Sequence, residues 1–378
     1  MNLKETAEVM SVIASSEEDA TRSMALATIV SVKGSTYRRA GARLLVPREG
    51  ESVGNLSGGC LEAEVEGLAK EVITRSEARL ETFDLTAEDE IVWGWGLGCN
   101  GVAEVFIEPA GNASAMARVL GRAIEEDRSL IVITLVETGV DSTERGARLL
   151  VGDDGRCEGT LGDPQVDEAV LHEVGRRGHA GPTARLVGTA AGDVRVFVEH
   201  LDPPLSLVIC GAGPDAVPLV QLASNLGWSV KVFDDRETLL RRDRFPEAVA
   251  LLSGNPSEVV ETAAVDGRSS VVVMSHNYLR DRDYLRALLL SEAPYIGMLG
   301  PRARTERLVE ELARDGMRVE DARPERIHGP AGLDIGAEGP EEIAAAVVTE
   351  VLAVHRGRKA GYLKDRTGAI HDARRISA

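Results

Sequence analysis

Cys60 is the residue whose type and setting suggest the most chemistry. It follows Ser57, Gly58 and Gly59 and precedes Leu61, where a helical pattern begins. The unpaired N–H groups and the dipole of a helix start lower the pKa of a thiol, so the thiolate becomes available as a nucleophile or a soft metal ligand. The alternative is a small buried hydrophobe, because free cysteine commonly has that role.

A second cysteine, Cys99, lies in an equally glycine-rich loop at residues 96–101. We predict that Cys60 and Cys99 face one cavity, with Glu62 nearby, and that these three residues are the catalytic group of the protein.

A different kind of site is predicted where the strand Leu205–Cys210 runs into the turn Gly211–Ala216, with the sequence GAGPDA. Gly211 and Gly213 allow the backbone to turn sharply and to approach a pyrophosphate. The apolar helix that follows offers unpaired N–H groups at its start. The alternative is a tight turn that binds nothing.

Polar residues at later strand ends would complete this second site. Asp234 and Asp235 close the next strand, where an acid accepts hydrogen bonds from a ribose, and which of the two faces the ligand is open. Arg236 tolerates an extra phosphate, so the cofactor can be NAD, NADP or another nucleotide. His276 and Arg302 follow two further strands, and ligands of open α/β sheets bind at such carboxyl ends. His276 can equally be a structural residue, and Arg302 a solvated residue of a first helical turn.

The second site requires a doubly wound sheet behind it. After the linker Asp202–Pro204, strand-like and helix-like segments alternate along the chain. Such alternation is typical of a parallel sheet with helices on both faces. We therefore predict a Rossmann-like nucleotide-binding domain over residues 203–378.

The cysteine site lies in a region that is duplicated. The string GARLLV at Gly41–Val46 returns at Gly146–Val151, and a closing strand, VFIE, returns as VFVE. This in-register repeat predicts an N-terminal α/β domain made of two repeated units, packed about an approximate two-fold axis. We place the two units at residues 1–120 and 121–202.

The two copies differ where chemistry is predicted. Ser57–Glu62 of the first copy is replaced by Gly162–Asp167 in the second, and Tyr37–Arg39 is replaced by Ser142–Glu144. The loop that carries Cys99 is an insertion of the first copy. Segments kept in both copies serve the scaffold, so loops found in only one copy are the better candidates for function.

Composition limits the class of function. The net charge of −18 and an aromatic content of 3% argue against nucleic-acid binding. Four cysteines without a CxxC pair fit a reducing cytoplasm. Because neither a signal peptide nor a membrane-length apolar run is evident, we expect a cytoplasmic protein without a membrane partner.

These motifs together resemble those of the XdhC/CoxI family, which are accessory proteins of molybdenum hydroxylases such as xanthine dehydrogenase. The strings that resemble the family are GSTYRRAGARLLV (Gly34–Val46), GNLSGGCLEAEV (Gly54–Val65), GLGCNG (96–101), CGAGPDA, VFDDR, SHNYLRD, YIGMLGPRAR and PAGLDIGAEGPEEIAAAVVTE. Two departures are visible: the usual proline after the arginine of the first string is absent, and Asn100 stands where glycine is expected. The resemblance covers most of the chain.

The resemblance implies a molybdenum-cofactor chaperone rather than a turnover enzyme, although such proteins often carry a xanthine dehydrogenase name. The protein would bind the pterin cofactor, hold it while a desulfurase supplies a terminal sulfur, and pass it to a molybdenum hydroxylase client. Ser57, Gly58 and Gly59 would bind this cofactor and Arg38 would contact its phosphate, with a plain surface arginine as the alternative. The family also implies a homodimer. Four scattered cysteines cannot ligate the iron–sulfur clusters of such a dehydrogenase.

Two other functions stay open. An NAD(P)-dependent oxidoreductase would use the glycine-rich turn but has no evident proton relay apart from His276. A nucleotide-binding regulatory protein would use the same turn without the cysteines. We expect instead a composite site, in which the turn cradles a phosphate and the N-terminal loops supply sulfur ligands.

Overall fold

The structure, a computed structural model, describes residues 3–59, 61–85, 100–177, 181–318 and 323–367. Contacts between residues divide the chain into two compact units, one ending at Pro203 and one starting at Pro204. Within the described ranges, none of the helices has the length and apolar character needed to cross a membrane.

The first unit contains nearly the same series of elements twice. The first series is α1 (Leu3–Ser15), α2 (Glu18–Thr21), β1 (Met24–Ser35), β2 (Arg43–Pro47), β3 (Val53–Gly54), α3 (Glu62–Arg75), β4 (Arg79–Asp84) and β5 (Asn100–Pro109). The second series is α4 (Ser114–Glu125), β6 (Leu130–Thr138), β7 (Arg148–Gly152), β8 (Cys157–Thr160), α5 (Pro164–Arg177), β9 (Thr183–Thr189) and β10 (Gly192–Leu201).

Each series builds a five-stranded antiparallel sheet of the same order. The strands run β3-β2-β1-β5-β4 in one sheet and β8-β7-β6-β10-β9 in the other. The apolar faces of α3 and α5 each cover one sheet, where Val65 and its counterpart Val170 are fully buried. The predicted duplication is therefore confirmed. Helices α1 and α4, which precede the sheets and pack together, belong to the repeat as well.

Reciprocal contacts join the two copies. Arg43 of β2 pairs with Glu199 of β10, and Arg148 of β7 pairs with Glu108 of β5. The two arginines hold the same place in the two GARLLV strings, and the two glutamates close VFIE and VFVE. Equivalent residues that meet in both directions are what an approximate two-fold axis produces. An apolar cluster of matching residues lies between the sheets: Val30, Phe106, Val136 and Phe197.

The second unit alternates strands and helices. Its elements are β11 (Ser206–Cys210), α6 (Ala216–Asn225), β12 (Ser229–Asp234), β13 (Ala250–Ser253), α7 (Val259–Thr262), β14 (Ser269–Val273), α8 (Tyr278–Leu289), β15 (Tyr295–Met298), α9 (Arg302–Arg314), β16 (Ile327–His328) and α10 (Pro340–His355).

These strands form one parallel sheet of order β13-β12-β11-β14-β15-β16. Helices α6 and α10 cover one face of the sheet, and α8 and α9 cover the other. Central strands β11 and β14 are buried at every residue, as expected of strands with helices on both sides. This confirms the predicted Rossmann-like, doubly wound sheet.

The strand order reverses between β11 and β14, which is the point where such sheets bind ligands. The glycine-rich turn follows β11, and Ser275 and His276 follow β14. The fold therefore brings both polar segments to one crevice.

Candidate functional site

Glu62, the first residue of α3, holds the segment Ser57–Gly59, which we call the SGG segment. Its carboxylate accepts hydrogen bonds from the N–H groups of Leu56 (3.1 Å) and Ser57 (2.7 Å), and from the Ser57 hydroxyl. Burial raises the pKa of Glu62, but these hydrogen bonds lower it more, so the pKa lies below its ordinary value. In this arrangement Glu62 is an ionised anchor of the loop.

The second copy contains the same anchor without the cysteine. Asp167 matches Glu62 in the repeat, and its carboxylate accepts from the N–H of Leu161 and from the hydroxyl of Thr160, both at 2.7 Å. An acid that ties the loop to the helix is therefore part of the shared scaffold.

What differs between the copies is the start of the helix. Helix α5 begins at Pro164, ahead of Asp167, whereas α3 begins at Glu62 itself. Gly59 and Leu61 match residues of the first turn of α5 but lie outside α3. Gly59 has a φ of +108°, which favours glycine, and apart from its chain neighbours no described residue has an atom within 4 Å of where its Cβ would be. The SGG segment is thus an opened helix start.

Cys60 and Cys99 lie outside the described residues, and so does most of the loop before Cys99. That they face one cavity stays a prediction. The structure does describe the support on both sides of residue 60. The Ser57 hydroxyl oxygen accepts from the N–H groups of Gly59 (3.2 Å) and Leu61 (3.1 Å). Ser57 therefore fixes the backbone before and after the cysteine.

The loop after β1 carries Arg38 and Tyr37. Arg38, the predicted phosphate contact, forms an ion pair with Glu5 of α1. The Tyr37 side chain is 68% exposed, and its ring lies 3.9 Å from the position that a Cβ on Gly58 would take. In the sequence, Tyr37–Arg39 is particular to the first copy, but within that segment only Arg38 is predicted as a ligand contact.

In the second unit, close approach of the backbone requires a glycine at the first position of the turn. Gly211 has a φ of +126°, and a Cβ there would lie 2.5 Å from the Met274 carbonyl oxygen at the end of β14. At Gly211 the turn thus packs tightly against the neighbouring strand end. A Cβ on Gly213 would lie 2.6 Å from a carboxylate oxygen of Asp215, which is the end of a side chain rather than backbone.

Asp234 is buried, and both of its oxygens are engaged. It accepts from the N–H of Ala212 at 2.7 Å, while Arg236 donates to it from its backbone and from its guanidinium. Burial raises the pKa of Asp234, but the bonds from Arg236 and Ala212 outweigh burial and lower it to about 2. Asp234 therefore ties the turn to β12, and its oxygens are not available to a ribose in this arrangement.

Asp235 is the more accessible of the two acids. Its carboxylate accepts from Arg280 of α8 at 2.9 Å, and both side chains are partly exposed. A ligand hydroxyl that reached this edge of the sheet would meet Asp235 rather than Asp234.

His276 lies beside the turn in an uncommon backbone conformation, with a φ of +56°. Its Nε2 is 2.7 Å from an Asp215 carboxylate oxygen, and its ring lies 3.6 Å from the position of a Cβ on Gly213. The imidazole is 60% exposed. The structure therefore brings His276 together with the glycine-rich turn, oriented by Asp215.

Arg302 is not gathered into this cluster. It pairs with Glu306 one turn along α9 at 2.8 Å and is 80% exposed, as a solvated first-turn residue would be. Arg304 instead reaches the buried Asp281 at 2.6 Å, which also accepts from the Ser275 hydroxyl. Of the two arginines, Arg304 is the one tied to the strand end.

One residue at the turn is missed by sequence reasoning. Arg244 donates to the carbonyl oxygens of Gly213 (3.2 Å) and Leu239 (2.8 Å). It is a cation next to the predicted phosphate cradle. Nothing in the spacing distinguishes Arg244 from its neighbours Arg241 and Arg242, so only the fold reveals its place.

Known proteins share both halves of this architecture. A protein of Bacillus subtilis (strain 168), named as a probable subunit of xanthine dehydrogenase, is 32% identical over 86% of this chain and 92% of its own length. "Molybdenum cofactor insertion chaperone PaoD" of Escherichia coli (strain K12) is 24% identical over 87% of this chain and 82% of its own. The crystal structure of a protein named a xanthine dehydrogenase from Bacillus halodurans superimposes with a TM-score of 0.76 at 28% identity. It covers 93% of this chain and 96% of that one.

Family assignment follows the same division of the chain. The XdhC Rossmann domain matches residues 207–351. The XdhC and CoxI family matches residues 18–84 and 123–190, one segment in each copy of the duplicated unit. These segments cover most of the sequence, and the chain belongs to the XdhC and CoxI family.

Proposed function

We propose that this protein is an accessory factor that binds molybdenum cofactor, assists its sulfuration, and inserts it into a xanthine dehydrogenase-type molybdenum hydroxylase. The observation that carries the proposal is the asymmetry of the duplicated unit. One copy keeps a closed helix start, and the other opens the same place around the SGG segment beside Cys60. The similarity to PaoD, named as a molybdenum cofactor insertion chaperone, supports the cargo.

Each residue in and around the SGG segment would have a separate role. Cys60 would supply the thiolate that meets the cargo, either as a ligand or as a carrier of sulfur. Ser57 and Glu62 would hold the backbone on both sides of that thiolate. Arg38 would bind the phosphate of the cargo, exchanging its ion pair with Glu5 for the ligand.

A carrier of this kind would act with two partner proteins rather than on a small-molecule substrate. A desulfurase would donate the sulfur, and an apo-hydroxylase in the cytoplasm would receive the finished cofactor. A homodimer would present the site to both partners. The protein would act as a carrier, with little turnover chemistry of its own.

The test measures cargo retention. Purified protein is incubated with molybdenum cofactor, passed through a desalting column, and assayed for molybdenum per chain. We expect retention by the native chain and by Cys157→Ser, in which an exposed cysteine is replaced. We expect Cys60→Ser to lose most of it. Failure of the native chain to retain molybdenum, or to transfer it to an apo-hydroxylase, would overturn the proposed function.

Nucleotide binding by the second unit is a second candidate function. It is favoured by the glycine-rich turn at the point where strand order reverses, with His276 and Arg244 beside Gly213. NAD, NADP and AMP can each be titrated calorimetrically against the native chain and Asp235→Asn. Steady hydride transfer to a small substrate would favour an oxidoreductase over the carrier.

A further inference from the structure

We infer that Tyr37 is the platform on which the flat pterin ring of the cargo stacks, an inference that rests on the proposed function. Aromatic residues make up only 3% of this chain. Of the Phe, Tyr and Trp side chains that the structure describes, Tyr37 and Tyr362 are the most exposed, at 68% and 76%. A tyrosine ring left in water beside a candidate site is a surface for binding a planar ligand.

The second copy has a polar contact at the place that corresponds to Tyr37 and Gly58. Ser142 matches Tyr37 in the repeat, and Asp163 matches Gly58. The Ser142 hydroxyl donates to Asp163 at 2.9 Å, which ties the loop after β6 to the start of α5.

In the first copy both partners of that contact are changed together. Gly58 has no side chain to accept a bond, and the Tyr37 ring lies 3.9 Å from the position its Cβ would take. Where the second copy has a hydrogen bond between two side chains, the first copy has an exposed tyrosine ring next to a glycine. The exchange occurs in the copy that carries the opened helix start, so the two changes belong to one site.

The side chains around Tyr37 favour a ligand that has a flat ring and an anionic tail. A tyrosine face stacks on flat nitrogen-containing rings, and the absent Gly58 side chain leaves room beside it. Arg38, next along the chain, supplies a cation for an anionic tail. Gly59 keeps the neighbouring backbone open. A pterin with a phosphate tail has both features, and a nucleotide base is the competing source of a flat ring.

The experiment measures ring binding apart from cargo loading. Equilibrium dialysis with 6-carboxypterin, which has the ring but neither metal nor phosphate, is run on the native chain, Tyr37→Ser, Tyr37→Phe and Tyr362→Ser. Tyr37→Ser installs the residue of the second copy at an exposed position, and thermal melting checks that each variant is folded. We expect about tenfold weaker pterin binding for Tyr37→Ser, and unchanged binding for Tyr37→Phe and Tyr362→Ser.

The outcomes separate this inference from the proposed function. Equal pterin binding by Tyr37→Ser and the native chain, or no binding by either, would overturn the stacking role. Binding of AMP that is tighter than binding of 6-carboxypterin and depends on Tyr37 would also overturn the stacking role. The ligand that stacks on Tyr37 would then be a nucleobase rather than a pterin. If the native chain binds the pterin through Tyr37 yet fails to retain molybdenum cofactor, the carrier function falls and the stacking role stands.

Discussion

At the scale of single residues, Asp234 carries a charge on which the turn after β11 depends. Its ordinary pKa of 3.8 is lowered to about 2 in the folded protein, chiefly because bonds from Arg236 and Ala212 outweigh burial. A lowered carboxyl pKa stabilises the fold above the ordinary pKa, and this contribution is lost as the pH falls from about 4 to about 2. We predict that Asp234→Asn lowers the free energy of unfolding by about 2 kcal/mol at pH 7.

Urea unfolding of the native chain and Asp234→Asn between pH 7 and pH 3 checks this, because the gap between them should narrow below about pH 4. Asp243→Asn is the control, since it removes an exposed pair with Arg241 and should leave stability unchanged. A gap that stays constant with pH would show that Asp234 acts through shape rather than charge.

Gly211 sets the geometry of the same turn. A methyl group at this position meets the Met274 carbonyl oxygen at 2.5 Å and the backbone has a positive φ, so alanine is both crowded and strained. We predict that Gly211→Ala costs about 3 kcal/mol in the free energy of unfolding. Gly267→Ala should be nearly neutral, because beyond the chain neighbours no described atom lies within 4 Å of the added methyl group. Equal urea midpoints for the two variants would contradict the close approach.

At the scale of elements, the anchors at the starts of α3 and α5 are a matched pair. Glu62 and Asp167 each fix the loop before their helix, so we predict that Glu62→Ala and Asp167→Ala each cost about 1 kcal/mol of stability. Only Glu62→Ala should reduce retention of molybdenum cofactor, because only the first copy opens around the SGG segment. Urea midpoints and molybdenum content are measured on both variants. Equal cargo loss in both would mean that the copies share the site.

The sequence predicts best those strands whose residues are all buried to a similar extent. Strand β11 is apolar throughout because helices cover both of its faces. Edge strands β4, β13 and β16 are not predicted from the sequence, since their partly exposed residues follow no simple apolar pattern. Strand β16 has only two residues and takes its extended form from pairing with β15.

Some site residues are predictable because the elements that need them are adjacent in the chain, and others depend on contacts between distant segments. The glycines of the turn are predictable because the strand, turn and helix that need them are adjacent in the chain. The anchoring role of Glu62 is not, since its sequence position beside Cys60 suggests chemistry. Its bonds to Leu56 and Ser57 depend on how the loop folds back. Arg244 reaches Gly213 from a distant loop, and no spacing rule encodes that contact.

At the scale of the duplicated unit, the repeat of GARLLV predicts two copies but does not say what joins them. Arg43 and Arg148 have the same neighbours in sequence, and each pairs with a glutamate of the other copy. Four nearly buried charges, two from each copy, therefore lie between the sheets. A buried ion pair contributes little over an apolar pair of the same volume, but a buried charge without its partner is costly.

We therefore predict that Arg43→Met, which leaves Glu199 buried without this partner, costs roughly 3–5 kcal/mol in the free energy of unfolding. Because the copies are related by an approximate two-fold axis, Arg148→Met should cost a similar amount through Glu108. The double variant Arg43→Met/Glu199→Leu should regain most of the loss, since no uncompensated charge remains. Arg122→Met, which breaks an exposed pair with Glu158, is the control and should stay within about 1 kcal/mol of the native chain. Urea unfolding of the five proteins measures these differences. A double variant as unstable as Arg43→Met would mean that Arg43 contributes through its packing and its bonds to Thr6 and Gly41, and that the two copies do not depend on the exchanged charges to stay together.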